Sequence, residues 1–441
     1  MRILLVQTPS VEGMTQERVY PIGIVVLAER LLDESHEVKI LDMNMEPDPF
    51  GALKSLLTTY MPGVVGLSLR NIDPLANKTS SLIPPFLVAA EMVASLTPGA
   101  WLVAGGTGFS LFPERIMAEA PAIHYGIVGE AEVTLPALVA ALDNPPPLPG
   151  LCRRVAGGIR MEKPSRSLDM DSYLPPRRDI LDPSRYAEIN SYVPSIGIET
   201  KRGCPFHCAY CVYPKLQGSG LRCRSPRSVV DEIERLHKGF GIKRFHFTDP
   251  IVNFPEAHLE EICREILRRR LVIRWDGFLR EDFFSEKNAA LYARSGCECF
   301  SFSPDGLSQE SLDVLDKRLT EETILRAAAA ASAVDVLSVY HFMVNAPGET
   351  ERTCEKGLRL IEKIYDLHER KRNLGTIVLN NIRILPGTPV ERMAREAGVI
   401  GPCSDLLYPT YYNPRPFESF RYRLEALHLR RNVYMWQEVE R

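Results

Sequence analysis

Residues 199–211 read ETKRGCPFHCAYC, so Cys204, Cys208 and Cys211 fall within eight residues, spaced by three and then two. The apolar run SIGIET (195–200) leads straight into them and reads as a short strand. Three thiolates on one loop are one short of a closed four-thiolate site, leaving a metal corner open to water, substrate or cofactor. Structural zinc calls for a second Cys-x2-Cys pair, and Cys297 and Cys299, one residue apart at the entry of an apolar strand, do not supply it. A 4Fe-4S cluster with three ligands on one loop suits the spacing better. Gly203, just before the first cysteine, permits the close backbone approach such a loop needs.

From this loop the pattern extends in both directions. Downstream, SIGIET, RFHFTD, VIRWDGF, CFSFSPD, SVYHFMV and TIVLNNIRIL are each followed by a helical pattern, which predicts a (β/α)6 partial TIM barrel over 195–400. Barrel active sites lie at the C-terminal ends of strands, and the cysteines follow the first strand. Upstream, residues 1–143 alternate RILLVQ, IGIVVLAERLL, HEVKILD, VVGLSL, FLVAAEMVASL, WLVAGG, HYGIVGE and LPALVAAL. Strand, helix, strand repeats require crossovers, so this part is α/β, a doubly wound parallel sheet. Residues 144–194 open with DNPPPLPG, are rich in Pro, Arg and Asp, and read as a linker or an irregular segment over the next domain. Residues 401–441 read as a helical C-terminal extension in which Tyr408, Tyr411 and Tyr412 pack the final helix.

The 441 residues, 45% hydrophobic and 25% charged, supply material for two or three domains. The start MRILLVQTPS lacks the basic and apolar regions of a signal peptide, and no run approaches the ~18 apolar residues of a membrane span. The expectation is a cytoplasmic protein with no membrane span. Its ten cysteines, three clustered and seven scattered, point to metal binding rather than disulfides. Cys223, in LRCRS, reads as a core residue or as a redox or substrate-facing thiol. Net charge is −3, with 8 basic against 16 acidic side chains in residues 1–150 and hence 45 against 40 beyond. The basic, aromatic FRYRLEALHLRR reads as a docked helix with solvated charges, so no nucleic-acid partner is expected.

The Cys-x3-Cys-x2-Cys loop after the first strand of a six-unit barrel resembles the radical S-adenosylmethionine superfamily. LRCRSPRSVVDEI, FTDPIVN, WDGFLRED, FSPDGLSQESLDVL, FMVNAPGET and ILPGTP follow in the order of that family's motifs. The resemblance implies that Cys204, Cys208 and Cys211 ligate the cluster and that S-adenosylmethionine chelates its unique iron and is cleaved to a 5′-deoxyadenosyl radical. It also implies that Tyr210 lies near the adenine and that Tyr408, Tyr411 and Tyr412 line the barrel entrance instead of packing the final helix. The family's Gly-Gly-Glu is absent, and Asp249 in the TDP turn is the only carboxylate at the place that contacts the methionyl amino group. Asp305 takes the position that addresses the ribose, or else is the N-terminal residue of the helix opening at LSQESL. Arg280 pairs with a carboxylate of cofactor or substrate, or else forms a surface ion pair with Glu281 or Asp282.

The N-terminal stretches MRILLVQTP, YPIGIVVLAERL, HEVKILDMN, VAGGTGF and YGIVGEAEVTLPAL resemble the cobalamin-binding Rossmann-like domain that precedes the radical module in one subgroup. Gly105, Gly106 and Gly108 follow a strand, where missing side chains let a macrocycle or its nucleotide tail approach the backbone. Gly129 and Glu130 belong to the same set by resemblance. No Asp-x-His-x-x-Gly occurs between Gln7 and Gly23, so no histidine is expected under the cobalt. The SLRNID stretch sets Arg70 just past the third strand, toward the corrin's lower face, and resembles tryptophan C2-methyltransferase-like members. Arg70 alternatively pairs with Asp73.

The resemblance implies a 4Fe-4S cluster, S-adenosylmethionine and cobalamin as cofactors. It further implies methyl transfer to a carbon or phosphorus centre of a small molecule, with an external electron donor such as flavodoxin or ferredoxin. The alternative is a radical enzyme whose cobalamin-like domain is empty and which performs cyclisation, carbon–carbon coupling or transfer of another S-adenosylmethionine fragment.

Overall fold

The computed structural model describes residues 1–10, 18–74, 80–166, 169–171, 178–187, 189–190 and 193–412, with 423, 426–427 and the backbone of 434–436. The chain divides into two units, one of Met1–Leu75, Thr79–Asn190 and Leu407–Pro409, the other of Ala76–Lys78, Ser191–Leu406 and Thr410–Arg441. Each is built around its own sheet.

In the first unit, β1 (Arg2–Gln7, RILLVQ) buries every residue but the first, as a strand covered on both faces must. β2 (Glu37–Asp42) and β3 (Val64–Ser68) flank it, and β4 (Trp101–Gly105) and β5 (Tyr125–Ile127) continue the parallel set in the order β2-β1-β3-β4-β5. Helices Ile22–Asp33, Pro49–Tyr60 and Ile83–Leu96 make the crossovers. Strand order reverses between β1 and β3, and the crevice beyond the strand carboxyl ends at such a point is where doubly wound sheets take ligands.

The sheet then gains β6 (Leu151–Val155) and β7 (Gly158–Met161), both antiparallel. This corrects the expectation of a linker over 144–194. The later part of that segment also packs on the first unit: the Tyr186 hydroxyl donates to buried Asp42 at 2.8 Å, and the Arg178 N–H donates to Glu29 at 2.5 Å. The Arg178 guanidinium is fully buried 5.1 Å from the Tyr20 ring centre. The hairpin escapes periodicity because β7 is short and exposes most of its residues, so no alternation of apolar and polar side chains marks it.

The second unit strings β8 (Gly197–Ile198), β11 (Arg244–Phe247), β12 (Arg274–Leu279), β13 (Cys297–Asp305), β14 (Leu337–Val344) and β15 (Leu374–Arg383) side by side, all parallel. Between β8 and β11 sits a two-stranded antiparallel ribbon, β9 (Lys201–Arg202) with β10 (Arg222–Cys223). Consecutive strands are neighbours throughout, so this is the expected six-unit open barrel. Helices separate the strands, and their ends are locally specified. Helix Pro226–Phe240 starts at Ser225, whose hydroxyl accepts the Ser228 N–H, and stops at Gly241 with φ +71°. Toward the helices the strands send Trp275, Phe300, Phe302 and Tyr340, all fully buried, with Tyr340 also hydrogen-bonded to His368 at 2.8 Å. Strand alternation turns His246, Asp276, Phe278 and His341 to the concave side.

In the segment expected to be helical after residue 400, β16 (Tyr411–Tyr412) pairs antiparallel and β17 (Tyr434–Trp436) parallel with β15. Residues 423 and 426–427 are helical, and the rest of FRYRLEALHLRR lies outside the described residues. Among the described residues no helix is long and apolar enough to cross a membrane.

Candidate active site

The cysteine loop is hung from buried anchors. Asp249, just past β11 and 3% exposed, accepts the N–H groups of Thr200 (2.8 Å) and Lys201 (3.1 Å), the Thr200 hydroxyl (2.5 Å) and the Lys201 ammonium (3.0 Å). A carboxylate offers about four acceptor sites, so these four donors occupy it fully. That corrects the expectation that Asp249 meets the methionyl amino group: it fixes the strand that enters the loop. Gly203 follows with φ +93°, and a Cβ there would stand 2.1 Å from the Gly220 carbonyl oxygen. No other residue fits.

Three further backbone contacts pin the loop. The Cys204 N–H donates to Gly218 O at 3.0 Å, the Ala209 N–H to Leu315 O at 2.8 Å, and Ala209 O accepts the Val390 N–H at 3.0 Å. Burial pushes the Cys204 thiol up and the Cys211 thiol to about 12, with each raised further by the charge of its neighbouring cysteines and lowered by Lys317. Among the described residues no three Cys, His, Asp or Glu side chains are gathered tightly enough to hold a single metal ion. A four-iron cluster is larger than one ion, and its thiolates stand correspondingly farther apart.

Tyr210, expected beside the adenine, donates its hydroxyl to Asp305 Oδ2, which also accepts the Lys317 ammonium. Asp305 ends β13 with φ +64° and is 4% exposed. It does not cap the following helix, Gln309–Val314, because Ser308 accepts the Ser311 N–H there. Burial alone would lower Lys317, but the charges of Asp305, Cys208 and Glu281 outweigh it and the net direction is up. Sequence reading missed Lys317, since one lysine in LDKRL carries no mark separating it from a solvated one.

Arg280 is 2% exposed, so the surface ion pair is overturned, although it does contact Asp282 at 2.8 Å. Its Nη2 donates to Lys317 O at 2.6 Å, and its guanidinium carbon lies 4.1 Å from the Phe206 ring centre in the cysteine loop. Its Nη1 is buried with no partner among the described residues. An orphaned guanidinium nitrogen beside that loop is a ready donor to a carboxylate.

In the first unit the glycines have a different reason from the one expected. A Cβ on Gly106 (φ +100°) would lie 2.4 Å from Leu69 O, and one on Gly108 3.1 Å from the same oxygen. These glycines let the loop after β4 pack against the loop after β3, whereas Gly105 has only ordinary contact. Ser110 ties this corner to the next, donating to Gly106 O at 2.9 Å and accepting the Gly129 N–H at 3.0 Å. Glu130 is half-buried beside it. Arg70 stands exposed two residues beyond β3, and its charge pulls down the Asp42 carboxyl, which burial raises more strongly.

Cys223 is exposed, which sets aside a core role, and all ten cysteines are free. Tyr408 is exposed, and Tyr412 is buried.

Residues 198–361 match the Radical SAM superfamily and residues 14–139 the B12 binding domain. An uncharacterized methyltransferase of Pyrococcus horikoshii is 28% identical over 373 residues, covering 82% of this chain and 78% of the relative. Tryptophan 2-C-methyltransferase of Streptomyces laurentii is 26% identical, over 67% of this chain and 59% of its own. Among solved structures, the radical S-adenosylmethionine methyltransferase TsrM of Kitasatospora setae, with tryptophan and a S-adenosylmethionine analogue bound, superposes with a TM-score of 0.75. It is 26% identical, over 90% of this chain and 76% of that one. The same enzyme is known with cobalamin and a [4Fe-4S] cluster bound.

Proposed function

From a chain that belongs to the radical SAM superfamily and carries a B12-binding domain, we infer a cobalamin-dependent radical SAM methyltransferase acting on a small molecule. The observation that carries the reading is the loop of Cys204, Cys208 and Cys211 with the orphaned Arg280 Nη1 beside it. The three sulfurs are the cluster ligands in this reading. Arg280 takes the carboxylate of S-adenosylmethionine through Nη1, its orientation fixed by Asp282 and the Lys317 carbonyl. Tyr210, Lys317 and Asp305 hold the loop in place behind the sulfurs. In the first unit, Arg70, the Gly105–Gly108 corner and Gly129–Glu130 mark the strand-end crevice that would face cobalamin.

When bound, the cluster and cobalamin supply one-electron cleavage of S-adenosylmethionine and a methyl carrier. This chain's own residues bind, orient and exclude water. An external flavodoxin- or ferredoxin-type donor supplies the electron, and ten free thiols suit a reducing cytoplasm.

The experiment is anaerobic purification and reconstitution with iron, sulfide and hydroxocobalamin, followed by metal analysis and incubation with methyl-labelled S-adenosylmethionine. Iron at about four per chain with stoichiometric cobalt and label on cobalt is the expected result. Iron without cobalt would move the assignment to a radical enzyme with an empty first unit.

A further inference from the structure

The concave side of the barrel sheet carries a set of side chains that the reading above leaves idle. Phe278 is 38% exposed although β12 is an interior strand. Two imidazoles meet it edge-on, His246 of β11 at 6.3 Å and His341 of β14 at 5.4 Å between ring centres. Phe278 and His341 touch across β13, whose neighbours are about 9.5 Å apart, so both reach into the same concavity. Phe278 precedes Arg280 by two residues and shares its face, which puts the ring just beneath the strand ends where the cysteine loop sits.

The polar atoms around this ring are specific. His246 Nδ1 lies 2.6 Å from a carboxylate oxygen of Asp276, itself 3% exposed. A neutral imidazole that gives its Nδ1 proton to a carboxylate presents Nε2 as an acceptor. Burial holds His341 neutral, pulling it down to about 4, and its ring makes no hydrogen bond among the described residues. Toward the strand starts, Arg244 grips Glu298 with two nitrogens, at 2.9 and 2.7 Å. Among the described residues Asp276, Arg244 and Glu298 are each partnered and Arg280 is assigned to the cofactor, so an anionic ligand finds no further cation among these groups, and an aliphatic one leaves the imidazole nitrogens unmet.

We propose that this concavity recognises the substrate as a neutral planar aromatic bearing a ring N–H or phenolic O–H, its ring on Phe278 and its donor on His246 Nε2. The assignment rests on the reading of this barrel as the radical module.

Indole and benzofuran test it, having one shape while only indole carries an N–H. Each is titrated into full-length, anaerobically reconstituted protein and followed by saturation-transfer NMR. Indole is expected to bind about fivefold tighter than benzofuran, the worth of one hydrogen bond. Phe278→Ala is expected to weaken both by about tenfold, and His246→Ala to erase the difference between them. Should Phe278→Ala fail to fold, Phe278→Leu keeps the bulk without the ring and carries the same expectation.

Equal affinities in the unsubstituted protein, or no loss in either Phe278 variant, overturn the proposal, as does indole-2-carboxylate binding as tightly as indole. No saturable binding, in a preparation that still moves label from S-adenosylmethionine to cobalamin, overturns it while leaving the methyltransferase reading intact. Indole binding without that label transfer does the reverse.

Discussion

The Lys317 ammonium lies 2.5 Å from Asp305 Oδ2, and both side chains are less than a tenth exposed. A buried pair is held by its mutual charge, and removing one member strands the other. Lys317→Met is therefore expected to destabilise the second unit by about 3–5 kcal/mol. Iron loading should fall with it, because Tyr210 leans on the same carboxylate. The double variant Lys317→Met with Asp305→Asn should recover much of the loss. Urea unfolding of the iron-free protein, with iron content measured in parallel, checks both parts.

Gly203→Ala should lose most bound iron, while Gly220→Ala should not. The first combines φ +93° with a Cβ 2.1 Å from a carbonyl oxygen, and the second has open space around the new carbon. The positive φ alone costs an alanine on the order of 1–2 kcal/mol, and the clash adds to it. Iron per chain after identical reconstitution is the readout.

Asp249→Asn separates anchoring from cofactor contact. The amide turns one acceptor into a donor facing Thr200 and Lys201 and leaves a lysine that is 1% exposed without its counter-charge. Iron loading and thermal stability should both drop, while the fraction that does load cluster binds S-adenosylmethionine as before. Normal loading with weakened S-adenosylmethionine binding would restore the contact role.

Glu281 is fully buried, and burial raises its carboxyl from 4.5 to about 7. Here the folded state holds the proton more tightly than the unfolded chain. Stability is thus greatest below the unfolded value, falls as pH rises from about 4.5 to 7, and levels above. The loss is about 3 kcal/mol at roughly 1.4 kcal/mol per pH unit. Glu281→Gln should flatten that slope and be the more stable protein at pH 8. Urea unfolding of the iron-free chain at pH 5, 6, 7 and 8 decides it.

The cysteine loop and the six-unit repeat were legible because both are local: three thiols in eight residues, and apolar runs such as RFHFTD and SVYHFMV with helical patterns between. The roles of Asp249 and Arg280 were not. A carboxylate near a strand end reads the same whether it faces a cofactor or, as here, four donors from residues 49 and 48 positions away. For Arg280 a surface pair with Glu281 or Asp282 stood as the alternative to a carboxylate-binding role, and only burial distinguishes the two. At Gly106 and Gly108 a Cβ would meet the Leu69 backbone, a neighbour that sequence distance conceals. The β6–β7 hairpin was hidden by its exposure.

The contacts of Tyr186 with Asp42 and of Arg178 with Glu29 have a bearing on the order in which the chain is made. The ribosome releases the first five strands early, but the Tyr186 hydroxyl and the Arg178 backbone N–H that bond buried Asp42 and Glu29 emerge some 150 residues after their partners. Until then the nascent first unit lacks one donor to each of these buried carboxylates, Asp42 having only Asn44 of the pair that bonds it in the finished fold, and both donors arrive about when the barrel's first strand is being synthesised. A fragment cut at residue 143 would keep the parallel strands and omit their antiparallel border, so an expressed first unit should run to Asn190.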